Sequence, residues 1–225
     1  MARVAVVLAG CGARDGSEIQ EAVSCLVHLA RLGAAVQCFA PDGPQAGVIN
    51  HATGESAAGQ TRNMMVEAAR ISRGSIRTLA GLDVDAFDAV VFPGGFGAAK
   101  NLCSFAADGA NCTVIPDVER VVKGFHKAGK PIGMACIAPM IGARVLGKAR
   151  GGPGVSVTIG EEAGPAAAVA AMGSLNVPKK VTEAHVDAAN KLATTPAYMD
   201  GGASAWQVFE GVGRMVEETL RLVRR

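Results

Sequence analysis

One cysteine stands where its sulfur could act as a nucleophile. Cys136 directly follows the apolar run Pro131–Ala135 and precedes a segment of helical periodicity, Ala138–Leu146. A sharp strand-to-helix turn of this kind exposes a side chain at the edge of a sheet and requires small neighbours such as Gly133. The helix N-terminus is expected to lower the pKa of the thiol and raise its thiolate fraction. A buried, purely structural cysteine is the alternative from local sequence.

A second strand end offers backbone donors for the same chemistry. Gly94 and Gly95 follow the apolar segment Ala89–Phe92, and paired glycines let the backbone approach a ligand closely. The N–H of Gly95 and the N–H of Ile137, next to the cysteine, would then form an oxyanion hole. A plain turn is the alternative interpretation of the glycine pair.

Carboxylates open the first predicted helix. Glu18 and Glu21 lie three residues apart and therefore share a helix face, so either could point into a crevice. With Ser17 as the expected N-cap, Glu18 favours the positive end of the helix. A solvated surface position is the alternative for Glu21.

The elements that would position these residues alternate apolar runs with segments of helical periodicity. Such succession forms right-handed crossovers in a mostly parallel sheet, and ligands bind beyond the carboxyl ends of its strands. We predict a three-layer α/β sandwich, with helices on both faces of the sheet, as one domain over residues 1–225. The predicted strands are Arg3–Ala9, Ala35–Ala40, Ala89–Phe92, Pro131–Ala135, Val155–Ile159 and Leu192–Thr195. The predicted helices are Ser17–Leu32, Thr61–Arg73, Pro116–Ala128, Ala138–Leu146, Ala163–Ala171 and Ser204–Val223.

Composition and charge argue against several classes of function. The chain has 22 basic and 20 acidic residues, a formal net charge of +2, and only one Trp, one Tyr and seven Phe. This balance and this shortage of aromatic rings do not suit binding to nucleic acid or to an anionic membrane. Apolar runs such as Val4–Ala9 and Ala163–Met172 are shorter than the roughly 20 residues that a membrane-spanning helix needs.

The cysteines and glycines predict neither a metal nor a cofactor. The six cysteines form no C-x-x-C pair, and no histidine stands near a cysteine pair at the spacing of a zinc site. They are typical of reduced thiols in an intracellular protein. Gly10 and Gly12 begin a G-x-G-x-x-G pattern, but Asp15 replaces its third glycine, so no dinucleotide site is expected.

Together these segments resemble a known protein family. The chain is similar to the ElbB branch, named for enhancing lycopene (isoprenoid) biosynthesis, of the class I glutamine-amidotransferase-like superfamily, which also contains PfpI proteases and the Parkinson-associated deglycase. This resemblance implies a flavodoxin-like fold and a homodimer. It extends from the first strand to roughly residue 200, with a divergent patch near Leu146–Pro153. The matching stretches are LAGCGARDGSEIQEAV, CFAPD, VINHATGE, TRNMMVEAARI, FPGGFGAAKNL, GKPIGMACIAP and ATTPAYM.

The resemblance also implies roles for single residues. The elbow cysteine of the family falls on Cys136, the glutamate of its first helix on Glu21, and its oxyanion turn on Gly94 and Gly95. In relatives, this glutamate is usually protonated and hydrogen-bonds the cysteine sulfur. Amidotransferases and PfpI-type proteases carry His directly after the cysteine, where this chain has Ile137. The departure argues against glutaminase or protease activity.

The predicted function is a cofactor-independent, glutathione-independent glyoxalase-like lyase. ElbB relatives are associated with such an activity, in which the Cys136 thiolate would add to a small aldehyde or dicarbonyl and Glu21 would move a proton. A redox-sensing or stress-protective protein with an oxidisable Cys136 is the alternative, and a binding protein with a vestigial pocket is a third. Only His51, among the histidines, lies where a loop could bring it to the site, and a structural turn role suits it equally. The expected location is the cytoplasm, or the mitochondrial matrix if a transit peptide has been removed.

Overall fold

A computed structural model describes residues 1–223, which form a central seven-stranded sheet and a small two-stranded sheet. The order in the central sheet is β3-β2-β1-β4-β5-β9-β8, parallel except for the antiparallel pair of β8 with β9. The predicted fold class, a mostly parallel sheet with helices on both faces, is confirmed. In the described part of the chain the strands are β1 (Arg3–Val7), β2 (Ala35–Ala40), β3 (Ile76–Thr78), β4 (Ala89–Phe92), β5 (Ile132–Ala135), β6 (Ser156–Val157), β7 (Leu175–Asn176), β8 (His185–Asp187) and β9 (Leu192–Thr195).

Side chains that alternate along the strands bury two separate apolar layers. In β1, Val4 and Val6 face one layer with Leu29, whereas Ala5 and Val7 face the other. The first layer is covered by α1 and α8, and the second by α5 and α6. A strand buried on both faces is therefore a continuous apolar run, as Val4–Val7 of β1 is. The helices are α1 (Ile19–Arg31), α2 (Met64–Ile71), α3 (Phe96–Lys100), α4 (Phe105–Asp108), α5 (Pro116–Lys127), α6 (Pro139–Leu146), α7 (Ala163–Ala171) and α8 (Ala205–Val223).

One predicted strand lies outside the central sheet. The segment Val155–Ile159 contributes only β6, which pairs with β7 in the two-stranded sheet. Side chains of the central sheet accept hydrogen bonds from its backbone instead. The Ser156 N–H donates to an Asp187 carboxylate oxygen at 2.8 Å, and the Thr158 N–H donates to the Thr194 hydroxyl at 2.9 Å. The prediction that this segment joins the main sheet is therefore wrong, and β9 pairs directly with β5.

The two edge strands of the central sheet were not predicted from the sequence pattern. β3 and β8 each have three residues, Ile76–Thr78 and His185–Asp187. Runs this short and this polar give no clear period-two signal. Their pairing comes from contact with the longer neighbouring strands, which the local sequence does not encode.

The sheet topology places three strand ends together. The chain leaves β1 in one direction toward β2 and β3, and returns on the other side as β4 and β5. Ligands bind at such a switch point, outside the carboxyl ends of the strands. The segments after β1, β4 and β5 meet there. Over residues 1–223, no helix combines the length and the apolar character needed to cross a membrane.

Candidate functional site

Cys136 occupies the strained turn between β5 and α6. Its φ of 57° lies in the left-handed region, which costs a residue with a side chain about 1–3 kcal/mol. The Cys136 N–H donates to the Thr195 carbonyl of β9 at 2.9 Å, so the neighbouring strand holds the turn in place. The side chain is 7% exposed. The sulfur therefore sits at the sheet edge with its backbone fixed by the strand beside it.

The glycine pair after β4 fits closely against this turn. A Cβ on Gly94 would lie 2.4 Å from the Cβ of Cys136 and 2.7 Å from a carboxyl oxygen of Glu21, so no larger residue fits there. Gly95 has a φ of 95°, and a Cβ on it would lie 2.3 Å from the backbone nitrogen of Glu18. The N–H groups of Gly95 and Ile137 lie near enough to the Cys136 sulfur to lower the pKa of the thiol.

Glu21 lies fully buried beside the cysteine. One carboxyl oxygen accepts the Gly94 N–H at 2.9 Å, and the other accepts the Tyr198 N–H at 3.2 Å. Burial, followed by the charge of Glu18, raises the pKa of Glu21 to about 8, although the hydrogen bonds from Tyr198, Cys136 and Gly94 act in the opposite direction. The carboxyl group is therefore mostly protonated at neutral pH. A solvated surface position for Glu21 is excluded, since its exposure is 0%.

The resting cysteine is a thiol rather than a thiolate. Burial raises the pKa of Cys136 well above its ordinary value, and the negative charge of Glu21 raises it further. The Gly95 and Ile137 N–H groups lower this pKa, but their effect is smaller than that of burial. The expectation that the helix N-terminus leaves Cys136 with a lowered pKa is therefore wrong, because desolvation in the closed turn dominates.

Glu18, and not the predicted Ser17, caps the first helix. Glu18 is the N-cap of α1, and its carboxylate accepts the Glu21 N–H at 2.6 Å. The Ser17 hydroxyl instead accepts the N–H of Ala9 at 2.9 Å, which fixes the loop after β1. The Glu18 N–H donates to the Gly94 carbonyl at 3.0 Å. The cap of the first helix is thus tied directly to the glycine turn.

A cavity of about 900 Å³ opens above Cys136. Its lining includes Glu18, Gly95 and Ile137 and excludes His51. The His51 ring instead accepts the Arg14 N–H at 3.1 Å through one nitrogen and contacts the Ile49 carbonyl through the other. The structure therefore gives this histidine the turn role and does not bring it to the cysteine.

Three residues that line the cavity were not among the site residues predicted from the sequence. Tyr198 follows β9 and supplies both an N–H to Glu21 and an aromatic wall. Arg14, in the loop after β1, and Lys100, the last residue of α3, are exposed at the rim. The sequence places Tyr198 shortly after the predicted strand Leu192–Thr195, and this was the available clue that it could reach the site. The pairing of β9 with β5 then brings Tyr198 to Glu21.

The fold and the site define a class of protein. The mostly parallel α/β sheet with helices on both faces is the fold of solved ThiJ/PfpI and DJ-1 structures. Solved structures with this fold include the REP24 protein of Francisella tularensis, at 12% identity, TM-score 0.63, and 98% and 99% coverage of the two chains. Drosophila melanogaster DJ-1beta matches at 18% identity and TM-score 0.50, with 100% and 97% coverage.

Closer relatives identify the family. The chain is 52% identical over 98% of its length to the human glutamine amidotransferase-like class 1 domain-containing protein 3, mitochondrial, and covers 83% of that protein. A rat ES1 protein homolog, mitochondrial, is 51% identical over 98% of the chain and 84% of its own length. A crystal structure of an isoprenoid biosynthesis protein with an amidotransferase-like domain from Ehrlichia chaffeensis is 36% identical, with TM-score 0.91 and 99% coverage of both chains. The chain belongs to this family of glutamine amidotransferase-like class 1 domain proteins, and the resemblance stated from the sequence is confirmed. No protein-family model matches the chain.

Proposed function

We propose that the protein is a cofactor-free glyoxalase-like enzyme, which converts an α-oxoaldehyde and water into a 2-hydroxy acid. Cys136 acts as the nucleophile and Glu21 as the proton carrier. The observation that supports this most is the buried carboxyl group of Glu21 beside the sulfur, with a pKa raised to about 8. A group with a pKa near the working pH is the best proton donor and acceptor in turn.

The first steps join the sulfur to the substrate. Glu21 in its ionised form takes the thiol proton of Cys136, and the sulfur adds to the aldehyde carbon to form a hemithioacetal. The Glu21 proton passes to the new oxygen, so the carboxylate is free again. This exchange suits a coupled pair that shares one proton, since neither group readily holds a charge while the other is charged.

The later steps move hydrogen and release the product. Glu21 takes the proton from the former aldehyde carbon and returns it to the adjacent carbonyl carbon. The hydroxyl proton on the former aldehyde oxygen passes to the former ketone oxygen, which yields a thioester of a 2-hydroxy acid. Water adds to the thioester carbon, the carbon–sulfur bond breaks, and the thiol regains its proton. The Gly95 and Ile137 N–H groups are the donors nearest to the oxygen of an adduct on the sulfur, and they stabilise its developing charge.

The same geometry argues against a glutaminase or protease, despite the amidotransferase-like names of the relatives. A cysteine in those reactions requires an adjacent base, usually an imidazole, to activate it. Ile137 follows the cysteine, and no histidine lines the cavity within residues 1–223. Glu21, which lies beside the sulfur, is the titratable group that could act as the base in place of a histidine.

A redox sensor is the second candidate function. A protonated Glu21 beside the sulfur would hydrogen-bond to a sulfenate or sulfinate and favour oxidation that stops at one of these stages. The raised pKa of the Cys136 thiol argues against rapid oxidation, because the thiolate is the reactive form.

Location and assembly are also proposals. The relatives from human, rat and zebrafish carry names that place them in mitochondria, in agreement with the second of the two predicted locations. We propose the mitochondrial matrix for this chain. The homodimer stays a prediction, and a sedimentation coefficient of a monomer at micromolar concentration would contradict it.

Substitution of Glu21 tests the function and separates the two candidates. Glu21→Gln keeps a hydrogen-bond donor beside the sulfur but removes the acid–base group. We expect glyoxal turnover without glutathione to fall by about 100-fold or more, while mass spectrometry still detects oxidation of Cys136 by peroxide. Turnover that survives the substitution would contradict the proton transfer. Absence of turnover in the unmodified protein, with ready oxidation, would favour the sensor.

A further inference from the structure

The cavity above Cys136 is larger than a small dicarbonyl requires. Its volume is about 900 Å³. Pockets of roughly 300–1,000 Å³ enclose drug-sized ligands, whereas glyoxal has only four heavy atoms. A substrate that fills this space therefore carries further groups beyond its reacting carbonyls.

Two cationic side chains lie on one rim of the cavity. The Lys100 ammonium donates to the Arg14 carbonyl at 3.2 Å and lies 5.1 Å from the centre of the Phe96 ring. The Arg14 guanidinium packs against Gly54, since a Cβ there would lie 2.5 Å from one of its Nη atoms. All four of these residues line the cavity that contains Cys136. The two cations are therefore anchored together on the path to the sulfur.

The cations of this rim, Arg14 and Lys100, form no ion pair with a carboxylate in the described residues 1–223. Glu18 also lines the cavity, but its carboxylate accepts N–H groups of the first turn of α1. The buried Asp15 does not line the cavity, and its carboxylate accepts the Ile49 N–H at 2.8 Å and lies 3.8 Å from the His51 Nε2. An anionic group in the cavity would meet two cations that are not ion-paired with any carboxylate of residues 1–223.

We propose that the substrate is an α-oxoaldehyde that carries a carboxylate or a phosphate several bonds away from its carbonyls. This proposal rests on the function proposed above and adds the substrate class. Its anion binds Arg14 and Lys100 while the aldehyde carbon reaches Cys136. For 4,5-dioxopentanoate, the aldehyde carbon would be oxidised to a carboxylate, the ketone carbon reduced to a secondary alcohol, and one water consumed, which gives 2-hydroxypentanedioate.

Kinetics with matched substrates test this selectivity. The ratio of kcat/KM for 4,5-dioxopentanoate to that for the neutral five-carbon 2-oxopentanal is expected to exceed about 10 at low ionic strength, because the rim attracts the anion. An increase of ionic strength to about 0.5 M should lower the ratio, since the rim is exposed and screened by salt. A parallel measurement with 3-phosphooxy-2-oxopropanal shows whether phosphate or carboxylate is preferred. A ratio near 1 at low ionic strength would overturn the substrate class and leave the proposed function intact.

Substitutions locate the effect on the rim. Lys100→Met keeps the aliphatic stem beside Phe96, and Arg14→Met removes the other charge. Each is expected to lower the kcat/KM ratio by about 3-fold, and the double substitution by about 10-fold, to a value near 1. Lys127→Met is the matched control, because this exposed lysine is the last residue of α5 and precedes β5. It therefore lies near the amino-terminal ends of the strands, away from the cavity. An equal fall of the ratio in the control would overturn the assignment.

A binding measurement keeps the rim testable if no oxoaldehyde is turned over. In that case the proposed function fails, and calorimetry compares 2-hydroxypentanedioate with 2-hydroxypentanoate, which lacks the second carboxylate. Tighter binding of the first compound, lost in the double variant, supports the anion site. Equal binding of the two compounds overturns it.

Discussion

Two buried cysteines near Glu21 differ in almost everything that controls reactivity. Cys136 ends β5 in a left-handed turn, contacts the cavity and receives the N–H groups of Gly95 and Ile137. Cys25 lies one turn after Glu21 on α1, is 0% exposed and packs in the apolar layer under that helix. Burial and the charge of Glu21 raise the pKa of both thiols.

The comparison shows that a neighbouring carboxyl group does not make a nucleophile. Glu21 raises the pKa of both thiols, yet only Cys136 lines the cavity where a ligand can bind. Only Cys136 also has backbone N–H groups beside it that stabilise a developing charge. Cys25 has a helical backbone and an apolar surrounding, so its sulfur behaves as a small hydrophobic group. Access and preorganised N–H groups, rather than proximity to a carboxyl group, separate the two sites.

The largest expected difference comes from exchange of each cysteine for alanine. Cys136→Ala should lower oxoaldehyde turnover by at least about 1000-fold, because the covalent adduct cannot form. Cys25→Ala should retain turnover and lower the free energy of unfolding by about 1 kcal/mol, through the lost packing of one heavy atom. Steady-state kinetics and urea unfolding of both variants measure these effects. Similar losses of turnover would erase the distinction between the two cysteines.

Substitution of the glycine that contacts both Cys136 and Glu21 is expected to be costly. A Cβ at Gly94 would lie 2.9 Å from the Ala135 carbonyl oxygen as well as 2.4 Å from the Cys136 Cβ, so backbone must move. Gly94→Ala should lower the free energy of unfolding by about 3 kcal/mol and reduce turnover. Gly47→Ala is the control, since no atom lies within 4 Å of its Cβ, and a change below about 0.5 kcal/mol is expected. A well-folded, fully active Gly94→Ala variant would show that the close fit at the turn is dispensable.

The carboxyl group that both cysteines share should make stability depend on pH. The pKa of Glu21 is about 8 in the folded protein against an ordinary value of 4.5, so the folded state keeps a proton that the unfolded state loses between these pH values. Its contribution to stability is therefore complete below about pH 4.5 and falls as the pH rises to about 8, by about 1.4 kcal/mol per pH unit at most. Relative to Glu21→Gln, the unmodified protein should lose a few kcal/mol across this window in urea unfolding. Parallel pH profiles would contradict the raised pKa.

The smallest effect is expected from the histidine in the loop. His51 contacts Arg14 and Ile49 by backbone hydrogen bonds and lies outside the cavity. His51→Ala should change glyoxal turnover by less than about twofold and the free energy of unfolding by about 1 kcal/mol. The pH profile of kcat should also keep its shape. Loss of one ionisation from that profile would mean that an imidazole assists Cys136 after all.

The sequence predicted the parts of the site that local rules govern. A cysteine between an apolar run and a helix indicates a strand-to-helix turn, and the positive φ of Cys136 agrees with it. Glycines at positions 94 and 95 indicate close approach of the backbone, as the distance to the Cys136 Cβ shows. Five of the six predicted strand segments lie in the central sheet, since mostly apolar short runs are typical of strands buried on both faces.

The tertiary structure decided what depends on long-range contact. The protonation of Glu21 and Cys136 follows from how deeply the fold buries both groups, and no sequence spacing gives that depth. The contact of Tyr198 with Glu21 spans 177 positions and exists because β9 pairs with β5. The same pairing leaves Val155–Ile159 outside the central sheet. Sequence thus fixes which residues can form tight turns and buried strands, whereas strand pairing and desolvation fix which residues meet and which of them carry charge.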